Sequence, residues 1–154
     1  MNKKIYILIL ALFMIFLLTG CDMDKSRYNV EIVEDGYSFV DGYLESHDPS
    51  TATNNQSPDE YTIVIRDEDE LNAVFNKFGK IDFNDQMIIV YIYTSIYNSK
   101  VKITDVDYDN DGELSIEFKH KSGFGRGSAT APKQGVLIIV MDKLYTTDID
   151  VDQE

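Results

Sequence analysis

From Tyr28 onward, the apolar positions fall mostly in period two. Tyr28, Val30 and Ile32 alternate with polar residues, and Asp35-Gly36 marks a turn before Tyr37-Ser38-Phe39-Val40. Asp41-Gly42 is a second turn signal. Residues 45–60 then lose all periodicity and are rich in Ser, Thr and Asn, with Pro49 and Pro58. Loops of that length are uncommon inside compact domains. The pattern therefore predicts that Tyr28 to Leu44 is a peripheral hairpin, loosely attached, and that the main domain begins at Tyr61.

Tyr61 to Arg66 is rich in β-branched residues and reads as a strand. Asp67 follows as an N-cap with Glu70 as its capping-box partner, and Leu71, Val74, Phe75 and Phe78 recur at helical spacing. A helix over 67–78 is expected, closed by Gly79 in a left-handed conformation. Met87 to Tyr93 is the most apolar stretch beyond the N-terminus and predicts a central strand covered on both faces. Val101, Ile103 and Val106 define a strand that turns at Asp109-Asn110-Asp111-Gly112 and returns through Leu114, Ile116 and Phe118. Gly123 to Thr130 reads as a flexible loop and Val136 to Met141 as a buried strand. At the tail, Ile149 and Val151 alternate with Asp148, Asp150 and Asp152; the plainer reading is a solvated, frayed terminus, and the alternative is a strand face of three carboxylates neutralised by a basic partner or a cation. The order strand, helix, strand, hairpin, strand predicts an α+β domain over 61–154: a mostly antiparallel sheet with one packed helix.

The N-terminus follows a different logic. Lys3 and Lys4 precede an apolar run from Ile5 to Leu18, and Leu18-Thr19-Gly20-Cys21 follows. A charged start, an apolar core and small residues at a cleavage point make a secretory signal peptide. As a helix the run would reach about 21 Å, short of the roughly 30 Å of bilayer hydrocarbon. A Cys directly after Leu-x-Gly resembles a bacterial lipobox. The resemblance implies a signal peptide over 1–20, cleavage before Cys21, and a diacylglyceryl group on its thiol. Residues 21–27 would then be a tether, and the protein would sit lipid-anchored on the extracytoplasmic face of the cell membrane. Stable anchoring needs two acyl chains.

Cys21 is the sole cysteine, so its lipidation leaves no thiol for a disulfide, a metal or a nucleophile. The formal net charge is −13, and loss of Lys3 and Lys4 makes it two charges more negative. Such a chain repels nucleic acid and anionic headgroups, which argues against DNA or RNA as partner.

Several pieces of the main domain occur in a recognisable order: the Asp67-Glu68-Asp69-Glu70-Leu71 helix start, Ile81-Asp82-Phe83 before the apolar strand, Val101-x-Ile103-x-x-Val106, a short hairpin, Leu114-x-Ile116, Pro132 ahead of Val136-x-Ile138, and Lys143. In these features the run from Tyr61 to Leu144 resembles the C-terminal domain of the protease-complex lipoprotein PrcB. It departs from that pattern after the central strand, where members often carry a Gly-Gly-Tyr-like turn and this chain has Tyr97-Asn98-Ser99. The resemblance implies a non-catalytic domain that associates with, or stabilises, an envelope protease complex.

Asp107-x-Asp109-x-Asp111-Gly112 fits the first half of an EF-hand loop, but the twelfth position is Phe118 rather than Glu, and strands flank it. A weak surface calcium site at Asp107, Asp109 and Asp111 stands beside the plainer reading of an acidic turn. The Gly-rich stretch at 123–128 lacks the Lys and helix of a phosphate loop. Its Phe124 and Arg126 are residue types suited to anchoring a partner. Tyr91, Tyr93 and Tyr97 are expected to pack a sheet face with their hydroxyls reaching solvent, a peptide- or carbohydrate-binding platform being the alternative. No nucleophile elbow or paired-carboxylate motif stands out, and His47 and His120 are far apart in sequence. The expected function is therefore a membrane-anchored, non-catalytic protein-interaction module without a resident cofactor. An extracytoplasmic small-ligand or calcium-binding module is the alternative.

Overall fold

A computed structural model describes residues 27–49, 60–97, 99–121, 132–146 and 148–153. Its frame is a four-stranded antiparallel sheet in the order β1 (Glu31–Ile32), β8 (Lys133–Asp142), β5 (Gln86–Ser95), β3 (Glu60–Ile65). β5 and β8 pair along their whole length, from Gln86 opposite Asp142 to Ser95 opposite Lys133. Both carry apolar side chains on both faces, as their unbroken hydrophobic runs require.

The odd-numbered residues of β5 (Met87, Ile89, Tyr91, Tyr93) and Leu137, Ile139 and Met141 of β8 face a second sheet. That sheet has the order β6 (Val101–Tyr108), β7 (Glu113–His120), β9 (Asp148–Gln153) and contributes Ile103, Val106, Leu114, Ile116, Phe118 and Val151. The even-numbered residues Ile88, Val90 and Ile92 face the other way, toward Leu71, Val74 and Phe75. The molecule is thus mostly antiparallel β-sheet with few helices, in three layers with β5 and β8 at the centre.

The helix starts where expected. Asp67 Oδ1 accepts the Glu70 amide at 2.9 Å, while Glu70 Oε2 takes the amide of Arg66 at 2.6 Å, one residue before the usual capping-box partner. Its end is a correction. The expected helix over 67–78 stops at Val74 (Glu68–Val74, here α2), and Phe75–Lys77 becomes a strand, β4. β4 pairs with β2 (Ser38–Phe39), and the Val40 amide donates to the Val74 carbonyl at 3.0 Å. Phe75 is still buried and Phe78 partly buried, within a cluster of Tyr37, Phe39 and Tyr43 rings. An extended Phe75 reaches that cluster as well as a helical one would and gains a strand partner. Gly79, no longer at a helix end, does not adopt a positive φ.

The segment before Tyr61 also differs from expectation. β1 and β2 do not pair with each other as a hairpin; β1 joins β8, β2 joins β4, and Tyr28 lies in the core. A one-turn helix, α1 (Tyr43–Ser46), follows, and Gln134 Nε2 donates to the carbonyls of Leu44 and His47 at 2.7 and 3.2 Å. The tail is the third correction. It is not frayed: β9 lies parallel to β7 in register from Glu113–Asp148 to Phe118–Gln153.

Gly135, in the central sheet, has no room for a side chain. A Cβ there would lie 2.7–3.0 Å from the ring of Tyr93, its register partner. The ring cannot swing aside, because it stacks on Tyr91 at 5.2 Å and meets Phe118 edge-on at 5.2 Å. Gly135→Ala is accordingly expected to cost about 1–3 kcal/mol, an overpacking penalty, read as a lower urea midpoint with an unchanged m-value.

Candidate functional site

The chain enters the domain at one end of the sandwich. The Tyr28 carbonyl accepts the Asp142 amide at 2.9 Å, Asn29 Nδ2 donates to the Asp142 carboxylate at 3.0 Å, and the Tyr28 and Tyr108 rings meet edge-on at 6.4 Å. β8 runs from that end to Lys133, opposite Ser95, which at about 3.3 Å per residue is roughly 30 Å away.

At the far end lies a braced, exposed tip. Ser95 is 3% exposed and its Oγ accepts the Tyr97 amide at 3.0 Å, an ST-type turn that lifts the chain off β5. Ile96 and Tyr97 are left 44% exposed each. The Tyr97 ring leans on His120 at 4.6 Å, and His120 meets Phe118 and Tyr93 at 6.3 Å each. His120 Nδ1 lies 3.2 Å from the Ser99 carbonyl, so the proton belongs on Nδ1 and Nε2 faces Ser95 Oγ at 3.5 Å. The Ser95 Oγ is held beneath the surface by the Tyr97 amide, and its contact with His120 stands at the long limit of a hydrogen bond.

Charge on the outer face of the second sheet is segregated. The Lys121 amide donates to the Lys100 carbonyl at 2.7 Å, and Lys102 is the register partner of Lys119. Side chains two apart share a face, so Lys100, Lys102, Lys119 and Lys121 form a square at the tip end. Farther along, Asp105, Asp107, Glu113, Asp148 and Asp150 occupy the same layer of the fold as exposed residues. Lys100 forms an ion pair with Glu34 across from β1, and this contact holds the Glu34 carboxyl below its ordinary range, helped by the charge of Lys121.

Cys21, Phe124 and Arg126 lie outside the described residues. At the acidic turn, Asp109 Oδ1 accepts the amides of Asp111 and Glu113 at 2.9 Å each, and Gly112 takes φ 88°. The Asp-x-Asp-x-Asp-Gly spacing is used here to close a hairpin. Among the described residues no three His, Cys, Asp or Glu side chains come together in a set that could hold a metal ion. Position 118, where an EF-hand places its last ligand, is a fully buried Phe. Tyr91 and Tyr93 do pack a sheet face, but Tyr91 donates its hydroxyl to Glu60 instead of reaching solvent. Burial, then the Glu60 contact, push its ionisation far above the ordinary tyrosine value. Sequence reading singled out Tyr97 but missed Ile96, Ser95 and the lysine square, which only strand register brings together.

Comparison with family models, curated proteins and solved structures returned no match for this chain.

Proposed function

We propose that this chain is a membrane-anchored bacterial lipoprotein whose domain is a non-catalytic protein-contact module, with an envelope protease complex as its partner. The Leu18-Thr19-Gly20-Cys21 sequence supports the anchor, and the resemblance of Tyr61 to Leu144 to the PrcB C-terminal domain supports the partner class. The observation that carries the reading is the position of the exposed Ile96–Tyr97 pair. It sits on a clamped turn at the end of the sandwich remote from where the chain enters, so an anchored domain can offer it to a neighbour. Tyrosine is enriched among the residues that anchor protein interfaces.

The test is site-specific photo-crosslinking in cells of the natural host, with the photoreactive residue at position 97 and, as a control, at position 80. One envelope protein captured from position 97 and not from 80, and lost in a Cys21→Ala form, is the expected result. A folded, abundant, anchored protein that captures no envelope protein from position 97 would overturn the reading.

A further inference from the structure

The domain also holds an open strand edge with an unusual chemical pairing. β6 is the outermost strand of its sheet, and among the described residues nothing pairs on its outer side. Because the Lys100 carbonyl points to β7, the alternation of an antiparallel ladder turns the peptide groups of Val101 outward. Opposite that edge lies β1, the outermost strand of the other sheet. Between them runs a groove of about 310 Å³ lined by Ile32, Val33, Glu34, Asp35, Lys100 and Val101. Its apolar lining is Ile32, Val33 and Val101, while Lys100 and Lys102 stand on the solvent face of the same edge, with Lys121 beside them.

We infer that the start of β6 takes up an extended segment of a partner protein in which acidic and apolar residues alternate. Added as a strand, such a segment would pair with the Val101 peptide groups. It would set its carboxylates beside Lys100 and Lys102 and its apolar side chains toward Ile32 and Val33. Two features of the fold support the chemistry. Glu34 already delivers a carboxylate to Lys100 at the groove, the position the partner's first acid would take. The same sheet also holds a segment of this pattern on its other edge: β9 reads Asp148-Ile149-Asp150-Val151-Asp152, with Val151 in the core and the Asp residues outside. An anionic lipid surface is the other class that four lysines would attract. The apolar groove beside the lysines and the unpaired edge of β6 favour a protein partner. The inference rests on the protein-contact reading above and deepens it.

The experiment uses the full-length chain in detergent micelles and fluorescence anisotropy of a labelled probe peptide, Gly-Asp-Ile-Asp-Val-Asp-Gly. Two comparison probes are its scrambled form with the apolar residues adjacent and a form with Lys in place of Asp. The expected result is binding of the alternating acidic peptide at least about tenfold tighter than either comparison probe, weakening as salt rises. The double variant Lys100→Glu, Lys102→Glu should lose that binding, whereas Lys77→Glu with Lys80→Glu should keep it. Glu34→Gln, which frees Lys100, should tighten it several-fold. Circular dichroism of each variant separates lost binding from lost folding, and Lys102→Gln alone supplies a milder variant. Equal binding of all three peptides would overturn the proposal. So would capture of phosphatidylglycerol vesicles by the same lysines without discrimination among the peptides. Crosslinking from position 97 that survives Lys100→Glu, Lys102→Glu would leave the contact module standing and remove the β6 edge from it.

Discussion

Phe118→Ala is expected to cost about 3–5 kcal/mol, the range for emptying a large aromatic site in a packed core. Phe118 is fully buried and meets the rings of Tyr91 at 5.8 Å, Tyr93 at 5.2 Å and His120 at 6.3 Å. It therefore joins the central sheet, the second sheet and the brace beneath the exposed tip. Domains of this size have only about 5–15 kcal/mol of stability in total, so this loss removes a large share. Urea unfolding of the wild type, Phe118→Ala and Phe118→Leu measures it, the Leu form retaining most of the volume and losing about half as much or less. A loss under about 1 kcal/mol for Ala would mean that the two sheets do not share one core. Weakened crosslinking from position 97 in the Leu form, while it stays folded, would show the tip to depend on the ring that braces it.

The sequence announced its local features and hid its long-range ones. The central strand was legible because Met87 to Tyr93 is apolar at every position and rich in β-branched and aromatic residues, as a strand covered on both faces is. The β6–β7 hairpin was legible because alternation on both arms flanks Asp111-Gly112, where a positive φ is needed. Asp67 and Glu70 fixed the start of α2, but its end was not readable: Phe75 and Phe78 satisfy a helical stripe and an aromatic cluster equally well, and the pairing with Phe39 decides between them. β1 and β2 looked like a hairpin because they are neighbours in sequence with a turn between them. Their apolar residues serve different partners, and nothing local says so. The tip was half visible. Tyr97 drew attention by composition, whereas the Ser95–His120 contact joins residues 25 positions apart and follows only from the packing of β5 against the β6–β7 hairpin. The lysine square follows from the hairpin register, once the shift between Ile103 and Asp105 is known. Cys21 needed no fold at all, since its meaning lies in the residues just before it.

Val151→Asp is expected to cost about 3 kcal/mol or more and to lower the thermal unfolding midpoint by several degrees at least. Val151 is 2% exposed in the core between the sheets, opposite Ile116, and a carboxylate there would have no cationic partner in that apolar cluster. A frayed, solvated tail would tolerate the same change with no effect, so thermal unfolding distinguishes the two descriptions of residues 148–153. The outward residues of the same strand should respond in the opposite sense. Asp148 sits directly beside Glu113, and like charges side by side on a sheet are destabilising. Asp148→Asn keeps an oxygen to accept the Ile149 amide, as Asp148 Oδ1 does now at 2.9 Å, while relieving that repulsion. It should raise stability by a few tenths of a kcal/mol in low salt, and the gain should shrink as salt screens the wild type. Opposite signs at positions 148 and 151, three residues apart, are what a strand with one face in the core and one in solvent requires.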